Sequence, residues 1–209
     1  MIIYIIAFSI LSYLIGSFSS AVWYGKWFYK TDVRELGSKN AGATNVLRVL
    51  GYKAAIPVFI TDALKSFISV QLVRLIPGLE MGSETCYQIM ILFGTCAVIG
   101  HIFPLYTRFK GGKGVASMLG MVLAIHPLAA GISLGIFIIV FLFSRIVSIS
   151  SICAAIAFPV IMYILEKNNS MTLIIFSIAA CLLIIITHIK NIKRLLKGEE
   201  KKISFKKNN

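Results

Sequence analysis

Charged residues are scarce in this sequence. Only 14% of its 209 residues are Asp, Glu, Lys or Arg, whereas 58% are hydrophobic. A soluble domain has about 25% charged residues, so this chain lacks the polar surface that would cover a water-soluble core. The composition predicts an all-α integral membrane protein that forms one polytopic domain over residues 1–209, because helices satisfy their own backbone hydrogen bonds in lipid.

Histidine and paired cysteine are scarce as well. The chain has three His and four Cys. No two cysteines form a C-x-x-C pair, and no two histidines have the spacing of two ligands on one helix face. The sequence therefore predicts no metal site and no cofactor, and it predicts that the cysteines are free thiols packed as small apolar groups.

Acidic residues are few, since eight Asp and Glu stand against 21 Lys and Arg, which gives a net charge of +13. On a soluble chain this excess would suggest nucleic acid as a partner. Here the basic residues lie between and after apolar runs, as the positive-inside rule describes. In those places they also attract anionic lipid head groups. We therefore expect membrane lipids as partners and no nucleic acid.

Apolar runs are abundant, and seven of them are candidate membrane-spanning segments. They cover residues 2–23, 53–76, 86–106, 114–126, 128–144, 147–165 and 171–188. The pair His126-Pro127 divides what would otherwise be one long helix, because proline disfavours helix at the residue before it. Segment 114–126 has only 13 residues, which suits a partial or tilted span. The polar stretch 24–52 is predicted as a loop.

The basic residues orient these segments. With the N-terminus outside, the predicted cytoplasmic regions are 24–52, 107–113, Arg145 and a basic tail at about 190–209. Of the 21 Lys and Arg, 17 then lie in these regions, and Lys53 lies at the cytoplasmic end of a span. The exceptions are Lys65, Arg74 and Lys167. The C-terminus is therefore predicted to be cytoplasmic. No internal repeat suggests an inverted-repeat transporter.

The first cytoplasmic region contains Gly-Ser-Lys-Asn-Ala-Gly-Ala-Thr-Asn at residues 37–45. Small residues let backbone amides approach a ligand closely. The charged and hydrogen-bonding side chains of this region are Arg34, Ser38, Lys39, Asn40, Thr44, Asn45 and Arg48. Together they suit a phosphate or another oxyanion. The alternative is an ordinary polar loop between two spans.

The second cytoplasmic region is Phe-Lys-Gly-Gly-Lys-Gly at residues 109–114. Three glycines around two lysines at the start of a helix are typical of an anion-binding loop. The loop is not a Walker A motif, because that pattern needs Gly where Thr107 stands and Ser or Thr where Gly114 stands. The alternative is a flexible basic turn at the membrane surface.

A third polar cluster lies at the end of the last apolar segment. His188, Asn191 and Arg194 have the spacing of one helix face, and interfacial snorkelling is the alternative. His101 is either a packing residue or part of the site. Asp62 and Lys65 are expected to form an ion pair within a span, as a brace or as a ligand contact. Three clusters on one membrane face predict a phosphorylated substrate, with chemistry and transport both open.

These clusters resemble the three motifs of the bacterial acyl-phosphate:glycerol-3-phosphate acyltransferases. The matching stretches are Gly37–Asn45 with Arg48, Gly100-His101 with Pro104 and Phe109–Ala116, and His188-x-x-Asn191 with Arg194 and Gly198-Glu199. Gly16-Ser17 and Asp62-x-x-Lys65 are also similar to the family. The resemblance runs from about residue 4 to about residue 199.

The resemblance implies a seven-helix enzyme of the bacterial inner membrane, with its active site facing the cytoplasm. Such an enzyme transfers a fatty acyl group from acyl phosphate to the 1-hydroxyl of glycerol 3-phosphate, giving lysophosphatidic acid and phosphate. This reaction is the first acylation of phospholipid biosynthesis. A membrane transporter or binding protein for a phosphorylated anion or lipid is the alternative. A polyprenyl-phosphate phosphatase is a further one, although the three histidines are not arranged for a phospho-histidine mechanism.

The resemblance also implies roles for individual residues. The expected catalytic residues are Ser38, Arg48, Lys113, His188 and Asn191. The expected substrate-binding residues are Gly37, Asn40, Thr44, Asn45, Lys110, Gly111, Gly112, Gly114 and His101. Lys39 stands where the family more often has Gly, and a positive φ there would cost about 1 kcal/mol.

Overall fold

The computed structural model describes residues 1–166 and 170–203, and within them the chain is helical, without strands. Two compact units are present, Met1–Pro127 and Leu128–Asn209. Lys167, which the sequence places outside, and residues 204–209 of the basic tail lie outside the described residues. The prediction of an all-α integral membrane protein is confirmed, while the single domain stays a prediction.

The first unit contains six α-helices and two short 3-10 helices, Leu72–Leu75 and Leu105–Thr107. The α-helices are α1 (Ile2–Ser17), α2 (Ser20–Tyr29), α3 (Ala43–Leu50), α4 (Tyr52–Gln71), α5 (Glu84–Ile102) and α6 (Val115–Ile125). Helix α1 packs on α5 where a side chain on Gly16 would overlap the backbone of Ala97. Helix α4 packs on α6 where a side chain on Gly120 would overlap the Ala63 carbonyl. Small residues at such contacts are typical of helices that associate in membranes.

The second unit is built from α7 (Pro127–Ser144), α8 (Val147–Leu165), α9 (Met171–Thr187) and α10 (Ile189–Leu196). Helices α8 and α9 pack together, and the rings of Phe158 and Phe176 meet edge to face at 6.1 Å. Helix α10 turns away from α9 by 61°. Its apolar and basic residues are segregated to opposite faces, which suits a helix lying at a membrane surface.

In the part of the chain that the structure describes, four helical stretches are long and apolar enough to cross a membrane, or six if each of two bent pairs is one span. The four are Tyr52–Leu75, Glu84–Thr107, Pro127–Ser144 and Val147–Leu165, and the pairs are α1 with α2 and α9 with α10. Helix α6 is apolar but shorter. Each of the seven predicted segments thus contains a helix, and the predicted break at His126-Pro127 is present. Seven crossings and an external N-terminus stay predictions.

The predicted first span, 2–23, is not one straight helix. The chain breaks after Ser17 and bends by 41° before α2 continues to Tyr29. Phe18 leaves the helical conformation, and Lys65 Nζ donates a hydrogen bond to its carbonyl at 2.9 Å. This contact gives the carbonyl at the break a charged donor in addition to the Ser20 N–H, which lies 3.2 Å away. Lys26 fits within α2 because its long stem lets the charge reach water.

The prediction of a continuous loop over 24–52 was also wrong, because α3 lies within it. Val46, Leu47 and Leu50 have the spacing of one helix face, but the polar residues around them make this pattern hard to recognise. Val46 is fully buried against Val33 and Val58. That apolar face fixes α3, and with it Arg48, against the rest of the unit.

Candidate active site

Asn45 holds together the first loop, which joins α2 to α3. Its side chain is buried, and Oδ1 accepts hydrogen bonds from the Ser38 N–H at 2.7 Å and from Ser38 Oγ at 3.1 Å. Its Nδ2 donates to the carbonyls of Val33 at 2.7 Å and Leu36 at 3.1 Å. Gly37 has φ 60°, and a side chain there would overlap Asn45 Oδ1. Asn45 and Gly37, predicted to bind substrate, therefore shape the turn that presents Ser38.

An ion pair stabilises the same loop, and one of its partners also bonds to the second loop, which joins α5 to α6. Arg34 donates to Asp32 through Nε at 3.0 Å and through Nη2 at 2.7 Å. Its Nη1 donates to the Thr107 carbonyl at 3.0 Å. These hydrogen bonds hold the pKa of the Asp32 carboxyl far below its usual range and raise that of Arg34. Arg34 was predicted to be a cation that binds phosphate. In the structure, all three of its guanidinium nitrogens donate hydrogen bonds to the two loops.

The second loop packs closely on the end of α5. Arg108 and Phe109 both adopt a positive φ, near 56° and 59°. The Gly112 N–H donates to the His101 carbonyl at 3.1 Å. A side chain on Gly112 would overlap the His101 ring and would come within 3.1 Å of the Ala41 carbonyl. The predicted glycine cradle is thus a packed turn, in which the Gly112 amide already has an acceptor.

Helix α6 begins directly after this turn. Gly114 precedes it with φ 83°, a conformation that favours glycine. Ser117 Oγ donates to the Asp62 carbonyl at 3.1 Å, which fixes the first turn of α6 to α4. The N-terminal end of a helix is its positive end, and Lys113 adds charge next to it. An anion at this position would therefore be stabilised by both.

The two loops together line a groove of about 460 Å³. Its charged lining residues are Asp32, Arg34, Glu35, Lys39, Arg108 and Lys110, joined by Thr107 and Gly111. Four cations against two carboxylates leave the groove basic. The predicted meeting of the first two clusters is therefore present in the first unit.

The remaining predicted residues of these loops lie near the groove in sequence, but they are not part of its lining. Ser38 is exposed, whereas Arg48 and Lys113 are half-buried. Asn40 and Thr44 are half-buried as well. Lys39 has φ 59°, so it adopts the positive φ considered for this position, a conformation that costs glycine least.

A buried ion network joins α4 and α5 at the second loop. Lys65 Nζ lies 2.8 Å from Asp62 Oδ1, which confirms the predicted ion pair. His101 Nδ1 lies 2.8 Å from Lys65 Nζ and 3.2 Å from Asp62 Oδ1. His101 is thus a member of a polar network, and its ring also contacts Gly112.

The third predicted cluster lies in the second unit, and its geometry corrects the sequence prediction. His188, Asn191 and Arg194 do not share one continuous helix face, because the chain bends at His188 between α9 and α10. His188 is buried, and its Nδ1 lies 2.8 Å from the Ile184 carbonyl. The sequence gives little warning of this break, since neither proline nor glycine marks it.

Glu200 is the residue of this cluster that sequence reasoning missed. It accepts hydrogen bonds from Arg194 Nε at 2.6 Å, Asn191 Nδ2 at 2.7 Å and Ser148 Oγ at 3.0 Å. Burial alone would raise the pKa of Glu200, but these three donors outweigh it and the pKa is lowered. The available signal was a lone acidic pair, Glu199-Glu200, in a basic tail.

Comparison with known proteins confirms the resemblance carried by the motifs. Residues 6–198 match the family described as glycerol-3-phosphate acyltransferase. The chain belongs to the glycerol-3-phosphate acyltransferase family. The family member from Fusobacterium nucleatum is 40% identical over 95% of this chain and 97% of its own length. A second, from Bacillus anthracis, is 43% identical over 93% of this chain and 96% of its own length.

Solved structures of the family have the same fold. The crystal structure of PlsY (YgiH), an integral membrane glycerol 3-phosphate acyltransferase, in its glycerol 3-phosphate form matches with a TM-score of 0.84 at 34% identity. The match covers 96% of each chain. The lysophosphatidic acid form matches with a TM-score of 0.82, also at 34% identity, over 96% of this chain and 95% of that one. The family assignment therefore rests on sequence and on fold.

Proposed function

We propose that this chain transfers a fatty acyl group from acyl phosphate to the 1-hydroxyl of glycerol 3-phosphate. The products are lysophosphatidic acid and phosphate, and the reaction is the first acylation of phospholipid synthesis. Family membership supports the acyltransferase activity. The solved relatives support the acceptor and the product, since one is a glycerol 3-phosphate form and the other a lysophosphatidic acid form. We place the enzyme in the bacterial cytoplasmic membrane, with its site facing the cytoplasm.

The basic groove between the first two loops carries this proposal. Both substrates are phosphorylated, so the enzyme must stabilise two anionic groups. Lys39, Arg108 and Lys110 supply cationic charge along the groove, and charge-assisted hydrogen bonds to phosphate are among the strongest in proteins. Arg48, in α3, and Lys113, in the second loop, are proposed as further phosphate ligands.

We propose direct transfer without an acyl-enzyme. The acceptor oxygen bonds to the acyl carbon, the bond from that carbon to the phosphate oxygen breaks, and the hydroxyl proton passes to the leaving phosphate. Ser38 is the rival nucleophile. Its hydroxyl donates to the amide oxygen of Asn45, which is not a base, and no G-x-S-x-G elbow surrounds it. Orientation and charge stabilisation then carry most of the catalysis.

The test uses the purified full chain with acyl phosphate, glycerol 3-phosphate and detection of lysophosphatidic acid. Acyl phosphate should support turnover, whereas acyl-CoA should not. Glycerol should be a poor acceptor, because each charge-assisted hydrogen bond that it lacks costs roughly 1.5–3 kcal/mol. Comparable turnover with acyl-CoA would contradict the proposed donor.

Two further measurements separate the alternatives. Radiolabelled acyl phosphate without acceptor should leave no acyl group on the protein, and a rapidly discharged adduct on Ser38 would establish a two-step mechanism. Vesicles containing the protein should form product without accumulating free glycerol 3-phosphate. Accumulation without product would identify a transporter instead.

A further inference from the structure

The ion network of Asp62, Lys65 and His101 is the most completely buried charged feature of the first unit. The three residues are 1%, 5% and 6% exposed. Ionisable groups inside membrane helices are costly and tend to be functional. This network also touches the second loop through His101, so it is positioned to act on the candidate site.

Lys65 determines which nitrogen of His101 carries the proton. Its Nζ has three neighbours, Asp62 Oδ1 at 2.8 Å, the Phe18 carbonyl at 2.9 Å and His101 Nδ1 at 2.8 Å. An ammonium group has three donors and no acceptor. Asp62 Oδ1 pairs with Lys65 by charge and accepts no well-aligned hydrogen bond, from Lys65 or from His101. Lys65 does donate to the Phe18 carbonyl, and because its ammonium group cannot accept, His101 Nδ1 must present its lone pair to Lys65. A neutral imidazole that accepts at Nδ1 carries its proton on Nε2.

The Nε2 edge of His101 faces the glycine loop. A side chain on Gly112 would overlap Nε2, so this nitrogen occupies the space that the missing side chain leaves. The Gly112 N–H is already bound to the His101 carbonyl. Among the contacts of residues 1–166 and 170–203, none supplies a hydrogen-bond acceptor to Nε2. The donor is thus available to a ligand at the loop.

We propose that Lys65 and Asp62 fix His101 as the neutral Nε2–H tautomer, so that His101 donates a hydrogen bond to an oxygen of a phosphate group bound at the second loop. Lys65 and Asp62 are then positioning residues for His101, and His101 is a donor and not a base. This inference rests on the proposed function only for the identity of the ligand. The tautomer itself follows from the geometry of the network.

The tautomer is tested on the unmodified full chain in detergent, labelled with ¹⁵N-histidine and without substrate. The His101 signals, assigned by their loss in His101→Gln, should show a protonated Nε2 and a non-protonated Nδ1. A proton on Nδ1, alone or together with Nε2, would overturn the proposal. Because this measurement needs no turnover, its failure is distinct from failure of the acyltransfer assay.

The role of the donor is tested by two amide substitutions. His101→Gln places an N–H near the position of Nε2, whereas His101→Asn places one near Nδ1. We expect kcat/KM to stay within about threefold of the unmodified chain in His101→Gln and to fall by about 10- to 100-fold in His101→Asn, as for a lost hydrogen bond to a charged group. Equal losses in both variants would contradict a donor at Nε2.

The positioning role is tested by removing the network in two backgrounds. Lys65→Met alone would leave the Asp62 charge unpaired and destabilise the fold, so both charges are removed in Asp62→Asn/Lys65→Met. This pair should lower kcat/KM by about tenfold or more when His101 is present, but by less than about threefold in the His101→Gln background, because an amide needs no tautomer control.

A purely structural role for the network predicts equal losses in the two backgrounds, and that result would overturn the proposal. Ser69→Ala is the matched control. Ser69 is buried one turn along α4 and donates to the Lys65 carbonyl at 2.8 Å. It should change neither the His101 signals nor kcat/KM.

Discussion

At the residue scale, several polar side chains in the candidate site form their hydrogen bonds with the protein itself. Asn45 uses its whole amide to hold the first loop, and Arg34 binds both Asp32 and the second loop. A polar residue in a functional motif thus has one of two duties, to contact the ligand or to hold the loop that does. Substitutions that report stability and turnover separately distinguish these duties.

Replacing Asn45 by Ala tests the loop-holding duty. The Ser38 N–H and two backbone carbonyls would lose the buried amide that bonds them. We expect this loss to lower the free energy of unfolding by about 2–4 kcal/mol. Thermal unfolding of the detergent-solubilised protein measures the change. Asn40→Ala is the control, because Asn40 makes no hydrogen bond to the described residues, and it should stay within about 0.5 kcal/mol. Similar losses in the two variants would contradict a special role for Asn45.

Replacing Asp32 by Asn tests the ion pair through its pH dependence. The pKa of Asp32 is lowered in the folded protein, so its carboxylate stabilises the fold above the unfolded pKa, about 3.9. That contribution is lost as the pH falls through the folded pKa. The unmodified chain should therefore unfold at a higher temperature than Asp32→Asn at pH 7, and the difference should shrink below about pH 4. A difference independent of pH would argue against the ion pair, and Glu80→Gln in an exposed turn is the control.

At the scale of helices, the apolar runs predicted much of the fold. The predicted segment 147–165 has the bounds of α8, and the break at His126-Pro127 separates α6 from α7. What the sequence did not predict depends on tertiary contacts. The first span breaks where Lys65 bonds to the Phe18 carbonyl. Helix α3 is stable because its small apolar face packs in a buried cluster with residues distant in sequence. Neither contact is encoded in a local hydrophobic pattern.

Close packing of α6 on α4 gives a prediction at the same scale. A methyl group at Gly120 would overlap the Ala63 carbonyl, which cannot move without shifting α4. Gly120→Ala should therefore destabilise the protein by about 1–3 kcal/mol, and turnover should fall because α6 carries the second loop. Gly131→Ala is the matched control. Its methyl group would meet nothing within 4 Å in α7, so it should be neutral or stabilising by up to about 1 kcal/mol.

At the scale of the whole molecule, the sequence predicted that the first two clusters meet, but it did not predict which of their residues hold the loops in place. The sequence brought the first two clusters together correctly, and the groove lined by Lys39, Lys110 and Gly111 confirms it. It missed Glu200, because a carboxylate in a basic tail has no motif spacing that links it to Asn191. The sequence also placed His188 on a regular helix, since no local signal marks the 61° bend.

The orientation of the chain in the membrane is predicted by the distribution of its Lys and Arg residues alone. Lys and Arg concentrate in the regions predicted to be cytoplasmic, whereas the turn between α4 and α5 contains exposed Glu80. The four native cysteines are first replaced. In that background, Glu80→Cys should react with a membrane-impermeant maleimide in intact cells, and Glu35→Cys, exposed in the first loop, should react only after permeabilisation. A reporter fused after Asn209 should likewise be cytoplasmic. The reverse labelling pattern would place the basic groove outside the cell, where it would not meet a cytoplasmic supply of phosphorylated substrates, and both the orientation and the proposed function would then be wrong.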